Sequence, residues 1–333
     1  MLILSKRLLL SAVIAIAGAT ALPASAADKV IIGFSQASSN SAHRNTMTSR
    51  NKEYAEANLP DAELIITNAE GKADKQISDV ESLLVQGINV LMISAQDSQA
   101  LTPVIKEVLA QGIPVVTLER SVGVPVTLHV GPHNKPIGAL AGKFLVEKLG
   151  GKGNVVEIKG DPAVAPAVER HDGFAEAIAG TDIKVIAEQH ADWDQEKALK
   201  FMEDTLQRFG PGQIQAVYAH NDNMAFGALK AIQAAGRDKE GILIIGIDGE
   251  NRAIRSVAKG ELTATFTYST VAPEGVIAAY ALAKKDLSGL DKLGTLTKDA
   301  DGHMEIEIPS QMITKDNAAE FFCKGFGDDP ECK

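Results

Sequence analysis

Ala216-Val217-Tyr218-Ala219-His220-Asn221-Asp222-Asn223, carried on through Gly236 to Ile242-Leu243-Ile244-Ile245-Gly246-Ile247-Asp248-Gly249, is the stretch whose reading decides the fold. Its first four residues form a short apolar run that turns abruptly polar at His220, the pattern of a buried strand reaching its carboxyl end. Asn221 or Asp222 can cap the helix that follows, from about 223 to 235, with Met224, Ala228, Leu229 and Ile232 on one face until Gly236 stops it. Ile242 to Ile247 is again apolar and again ends in a polar residue, Asp248, followed by Gly249. Two successive parallel strands of this kind deliver Asn221 and Asp248 to one sheet edge, where open α/β folds bind ligands.

The same alternation extends to both sides of this unit. Val30 to Phe34, Glu63 to Thr67, Val90 to Ser94 and Val115 to Leu118 read as strands, with helices at about 41–58, 73–86 and 101–111. These near-continuous apolar runs are what parallel strands covered on both faces look like. A short strand at 128–132 leads into Gly131-Pro132-His133-Asn134, and a helix from about 136 to 149 opens a second series with strands at 155–158 and 185–189 and helices beginning near 165 and 195. Thr263 to Tyr268 is a further strand, and Pro273 begins another helix. The expected fold class is therefore α/β, with two doubly wound parallel-sheet lobes joined by a three-segment hinge. The expected divisions are 27–131 plus about 269–303 for the first lobe, 132–268 plus about 304–315 for the second, and 316–333 as a tail. Asp299-Ala300-Asp301-Gly302 reads as an exposed acidic turn without the terminal glutamate of a calcium loop.

Lys6 and Arg7 precede an apolar run from Leu8 to Leu22 and the small-residue site Ala24-Ser25-Ala26, so 1–26 reads as a cleaved export signal rather than a membrane span. Of 33 basic residues, 31 then remain against 43 acidic ones, a net charge of −12 for the processed chain. Such an acidic, exported chain is a poor partner for nucleic acid or anionic lipid. At just over 300 residues it exceeds the size at which one core keeps growing. The two cysteines, Cys323 and Cys332, are expected to pair in an oxidising compartment.

Gly33 stands alone after the first strand where a dinucleotide fingerprint would need three glycines; no phosphate loop and no Gly-x-Ser-x-Gly elbow occurs. The seven histidines lack metal-ligand spacing. The chain thus predicts no catalytic site, no metal and no cofactor. It offers polar residues just past strand ends: Ser35, Gln36, Asn40, His43 and Arg44 after the first strand, Glu119 and Arg120, Arg170, Trp193, then Asn221, Asp248 and Tyr268. Vicinal hydroxyls can donate to the carboxylates and accept from guanidinium or amide groups, while the C–H face of a sugar stacks on a ring. Glu119 and Arg120 could equally form a surface ion pair, Arg170 a helix-surface charge, Asp248 a turn and Trp193 ordinary packing. Their common placement at strand ends favours a small polyhydroxylated ligand.

Ala216 to Leu229, Ile113-Pro-Val-Val-Thr-Leu-Glu-Arg120 and Ile244-Ile-Gly-Ile-Asp-Gly249 resemble the pentose- and hexose-binding proteins of bacterial ABC importers, the ribose-binding type of type I periplasmic binding protein, over nearly the whole processed chain. Gly33-Phe-Ser-Gln36 and Arg44 look closer to the galactofuranose-binding branch. The resemblance implies a monomeric periplasmic receptor that closes on a sugar or polyol and presents it to an inner-membrane permease. It implies that Arg120, Arg170, Asn221 and Asp248 bond sugar hydroxyls and that Trp193 stacks on the ring. Glu119 stands where that family generally has aspartate, His43 where an aromatic ring is usual, and Tyr268 where an amide is usual. Rival readings are a sensor for chemotaxis or a two-component system, an enzyme on the same architecture, and a repressor core, the last opposed by the export signal and the missing helix-turn-helix.

Overall fold

A computed structural model describes residues 29–332, so the export signal expected at 1–26 lies outside the described residues. The chain opens with β1 (Val30–Gln36), α1 (Ala42–Asn58), β2 (Ala62–Asn68), α2 (Ala73–Val85), β3 (Val90–Ile93), α3 (Thr102–Ala110), β4 (Val115–Leu118) and β5 (Leu128–Gly131). It continues into α4 (Asn134–Lys148), β6 (Lys152–Lys159), α5 (Ala165–Ile178), β7 (Asp182–His190), α6 (Gln195–Arg208), β8 (Ala216–Ala219), α7 (Asp222–Ala234), β9 (Leu243–Ile245), α8 (Asn251–Lys259) and β10 (Ala264–Phe266). The remaining elements are α9 (Glu274–Lys284), β11 (Thr295–Lys298), β12 (Met304–Glu307), β13 (Met312–Thr314) and α10 (Ala318–Phe321).

The strands form two sheets, ordered β11-β12-β5-β4-β3-β1-β2 and β13-β10-β9-β8-β6-β7. Pairing is parallel except where β11 meets β12 and β13 meets β10. The central strands are apolar throughout because both faces are covered. Leu91 and Ile93 pack under α2 and α3, while Met92 between them points to the opposite side, where α1 and α9 lie. In the second sheet Val217 and Ala219 face α6 and α7, and Tyr218 faces α4 and α5.

The chain passes between the sheets after Gly131, after Tyr268 and between Ile308 and Gln311. The third passage lies later than the sequence suggested. Met304–Glu307, assigned there to the second lobe, is parallel to β5 in the first sheet, because its alternating Met304 and Ile306 join the first core; only β13 belongs to the second. Five elements carry no helix or strand assignment in the sequence reading: α8, β11, β12, β13 and α10. α8 buries Ala253, Ile254 and Val257, and β11 is an exposed edge strand whose polar sequence carries no apolar alternation. The acidic turn 299–302 connects β11 to β12, with Asp299 Oδ1 accepting from the Asp301 and His303 amides.

Candidate functional site

The strand ends of the two sheets face one another across a cavity of about 230 Å³. From the first lobe it is lined by Asn40, Ser41, His43, Arg44, Glu119 and Arg120. From the other side come Pro166, Arg170, Asp192, Trp193, Asp194, Gln195, Asn221, Asn223, Asp248 and Tyr268. Ten of the twelve residues proposed from the sequence are in that lining.

Ser35 and Gln36 are not. They end β1 one layer below, fully enclosed, where the Ser35 carbonyl accepts from the Ser94 amide at 3.2 Å. Gln36 fastens α1 to the sheet by donating to Thr48 Oγ1 at 3.1 Å. A strand's last residues pair with their neighbours, and the chain has to leave the sheet before a side chain can reach the cavity. Ser41, Pro166, Asp192, Asp194, Gln195 and Asn223 were missed as lining residues. Asp192 and Asp194 flank Trp193 just past β7, and Asn223 opens α7, so the strand-end rule extended by one helical turn would have found them.

Glu119 organises the first-lobe wall. Its Oε1 lies 2.5 Å from Arg44 Nη2 and 3.3 Å from Arg120 Nε and accepts from Ser94 Oγ at 3.1 Å, while Oε2 accepts from Tyr268 Oη at 3.0 Å. Burial works against its charge, but the Arg44 and Arg120 guanidiniums outweigh that and hold the carboxyl down to about 2. Glu119 therefore gives its acceptors to the protein and aims two cations. Burial, and then Arg44, lower Arg120 to about 10, which leaves it charged at neutral pH. Ser41 caps α1 by accepting from the Arg44 amide, and His43 in the first turn donates from Nε2 to the Ser269 carbonyl at 3.1 Å. Burial and the charge of Arg44 push His43 down to about 4, so its ring is neutral.

In the second lobe Arg170 is held by Asn134 Oδ1 at 2.9 Å and by the His220 carbonyl. Its guanidinium lies 4.4 Å from the Tyr268 ring centroid and 5.5 Å from that of Trp193. His220 is itself fixed by Glu157 at 3.0 Å, and Glu157 by His171 at 3.0 Å. Asn221 caps α7 through Oδ1, which accepts from the Met224 amide at 2.9 Å, while its Nδ2 donates to the Trp193 carbonyl at 3.4 Å. Trp193 lies on Gly160 so closely that a Cβ there would come within 2.1 Å of the indole. Asp248, which lies beyond the end of β9 at Ile245, has φ 131° and Gly249 φ 67°, a backbone bend at the edge of the cavity that Asp248 lines. Burial pushes that carboxyl up to about 8, opposed by Arg170 and reinforced by Glu250. The neighbouring Asp222, raised by burial as well, is outside the lining. It accepts from Thr265 Oγ1 at 2.7 Å and from the Glu250 amide at 3.0 Å, which ties α7 to β10 and to the start of α8.

A larger space of about 630 Å³ on the hinge side shares Glu119 and includes Val122, Val124, Pro132 and Pro136. Two of its acids are already engaged, Glu305 with His133 at 2.5 Å and Asp299 with His303 at 3.1 Å. We place the site in the smaller cavity because the guanidiniums and the Asp248 carboxyl converge there. Among the described residues two groups have cation-holding spacing, Glu157/His171/Glu188 and Asp299/Asp301/His303, and neither lines it. Charged donors, a carboxyl, an amide and an indole around a space below the roughly 300 Å³ of ordinary small-molecule pockets suit one small ligand rich in hydroxyls.

The model of the periplasmic binding protein domain matches residues 32–289. The chain is 35% identical over 302 residues to the galactofuranose-binding protein YtfQ of Escherichia coli, covering 88% of this chain and 93% of that one. It is 42% identical over 212 residues to the ribose import binding protein RbsB of Bacillus subtilis, 63% of this chain and 67% of that one. Among solved structures, the fructose binding periplasmic domain of a hybrid two-component system superposes with a TM-score of 0.79 at 31% identity, covering 89% and 94% of the two chains. A galactofuranose binding protein superposes with 0.78 at 30% identity, covering 89% and 98%.

Proposed function

This chain is a member of the periplasmic binding protein family, and from that premise we propose that it captures one small sugar or polyol between its lobes and delivers it to an inner-membrane ABC permease. The observation that carries the reading is the convergence of Arg44, Arg120, Arg170, Asn221, Asp248 and Trp193 from both lobes on one cavity of about 230 Å³. In this proposal Arg120, Arg170 and Asn221 donate to ring hydroxyls, Asp248 accepts, and Trp193 stacks on the C–H face. Asn40, His43, Arg44 and Tyr268 shape the walls, and Glu119 orients the arginines. Ser35 and Gln36 support from below.

The lobes we propose are 29–131 with about 269–307, and 132–268 with about 311–315. Closure about the three passages is a population shift that the ligand drives by touching both lobes. Residues 1–26 direct export to the periplasm, where the protein works as a monomer and makes or breaks no bond. The similarity to a fructose-binding domain of a two-component system supports a second reading, a sensor that signals occupancy without transport.

A thermal-shift panel of pentoses, hexoses, furanose-rich sugars and polyols tests the central claim, since a ligand bound only by the folded state raises the melting temperature. A shift with one or two members is expected. Conversion of any member to a new product, seen by mass spectrometry, would move the chain to an enzyme reading.

A further inference from the structure

The segment after β13 turns back along the second lobe and reaches the first. α10 packs on the second core with Phe321, and the chain reverses at Cys323, φ 59°. Cys323 and Cys332 are bonded, with Cα atoms 5.2 Å apart. The loop they close is anchored to α8. The Asn251 amide donates to the Phe326 carbonyl at 2.9 Å, and Asn251 Nδ2 to that of Gly327 at 3.0 Å. Arg255 Nε pairs with Asp329 at 3.1 Å. Gly325 is pressed so tightly on Gly249 that a Cβ would come within 2.2 Å of its carbonyl oxygen, which puts the loop directly behind Asp248.

From this anchored loop Phe326, 4% exposed, extends to α1 of the other lobe. Its ring meets that of His43 edge-on, centroids 5.2 Å apart, and His43 in turn stands 5.5 Å from Tyr268. His43 and Tyr268 line the ligand cavity; Phe326 lines the separate space of about 270 Å³ on the far side of Asp248 and Tyr268. His43 has one hydrogen bond, to Ser269, about which the imidazole could still swing. The Phe326 ring closes off that swing.

We propose that Phe326, held by the Cys323–Cys332 loop, is a positioning residue of the ligand site: it fixes His43 against Tyr268 across the lobes and so sets which hydroxylated ligands the cavity accepts. The proposal rests on the sugar-binding reading above. Edge-to-face aromatic pairs of this kind correspond to about threefold to tenfold in an equilibrium. Because Phe326 touches the first lobe from the second, its removal acts on the arrangement in which the lobes meet.

The test uses the full exported protein and Phe326→Ala, Phe326→Leu and Cys323→Ser/Cys332→Ser. Nitrogen-15 NMR of the histidines, with no sugar present, reads the His43 tautomer. Emission of Trp193, the one tryptophan in the chain, reads titrations with D-galactose, L-arabinose, D-fructose, xylitol and myo-inositol. Phe326→Ala is expected to lose the fixed Nε2–H tautomer and to change the ratio of affinities between panel members by threefold to tenfold. Phe326→Leu should recover part of both, and the serine pair should move them in the same direction by less. Circular dichroism establishes that each variant is folded; should Phe326→Ala not fold, the other two carry the same measurements. An unchanged tautomer and unchanged affinity ratios in the folded variants overturn the proposal. If no panel member binds the wild type, the sugar reading fails, while the tautomer measurement still decides the role of Phe326.

Discussion

Replacing Asp248 tests the site at the atom where its electrostatics are least settled without ligand. The carboxyl is 8% exposed, and burial raises it to about 8, so near neutral pH a share of it is protonated. A ligand that donates two hydroxyls to it restores the hydrogen bonds that burial removed and favours the ionised form. Hydrogen bonds to a charged group contribute about 1.5 to 3 kcal/mol each. Losing two in Asp248→Ala removes about 3 to 6 kcal/mol, a hundredfold or more in affinity at 1.4 kcal/mol per tenfold. Asp248→Asn keeps one acceptor oxygen and loses less. Binding to the ionised form also expels a proton, so wild-type affinity should climb with pH between roughly 6 and 8, level above that, and stay flat in Asp248→Asn. Isothermal titration in two buffers of different ionisation enthalpy measures both the affinity and the proton. The unliganded protein carries the opposite slope. A folded pKa raised above the unfolded value of 3.8 stabilises fully below that value, and the contribution is lost as pH rises through about 8. Asp248→Gly is the control for the backbone, since φ 131° strains every residue but glycine. It should lose affinity without the stability cost of the alanine. Unchanged affinity in Asp248→Ala, or binding without proton release, would refute the assignment of this carboxyl to the ligand.

Glu119→Gln leaves Arg44 and Arg120 buried without their counter-charge and should cost about 3 to 5 kcal/mol in urea unfolding at pH 7. Because Glu119 is held at about 2 against 4.5 for a free glutamate, its stabilisation is present above roughly pH 4.5 and lost as pH falls toward 2, a component that Glu119→Gln should lack in acid melts. Gly138→Ala places a Cβ 2.1 Å from the Arg170 carbonyl oxygen and so must part α4 from α5; about 1 to 3 kcal/mol of stability and some affinity should fall together. Trp193→Phe should abolish the ligand-dependent emission change while binding persists, whereas Trp193→Ala should weaken binding by about tenfold.

The strands whose faces are both covered were legible in the sequence because burial leaves an unbroken apolar run, as in Val115–Leu118 and Ala216–Ala219. What escaped has physical causes of its own. β11 is exposed along its length, so its residues carry no burial signal. β12 carries no strand assignment in the sequence reading, and its place in the first sheet is decided by long-range pairing with Leu128–Gly131, not by local sequence. Ser35 and Gln36 obeyed the strand-end rule in sequence and failed it in space, because β1 runs on to Gln36 and pairs through its last residue with Asn68. The role of the tail was invisible for a similar reason. Phe326 lies 283 positions from His43, and no pattern in a polar, Gly- and Asp-rich segment records that contact.

Glu119, His43 and Tyr268, the three positions at which the resemblance implies a departure from the ribose-binding pattern, are neighbours in the site. Glutamate in place of aspartate at 119 adds one methylene, and the longer arm allows Oε2 to accept from Tyr268 Oη at 3.0 Å while Oε1 keeps Arg44. An amide at 268 could also donate there, but only the tyrosine brings a ring that stands over Arg170 at 4.4 Å and against His43 at 5.5 Å. His43 is neutral in this setting, so it adds a polar edge without a further positive charge beside Arg44 and Arg120. Reverting one of the three alone would therefore strand the other two: Glu119→Asp withdraws the acceptor from a tyrosine hydroxyl that is buried, and a buried hydroxyl without a partner costs about 1 to 3 kcal/mol. Ligand selectivity should accordingly respond to the three as a unit. The energy of the Glu119→Asp/Tyr268→Gln double variant should differ from the sum of the singles by at least 0.5 kcal/mol, the coupling expected of residues in contact. Additivity of the two changes in a double-mutant cycle would show instead that the wall is built from independent parts.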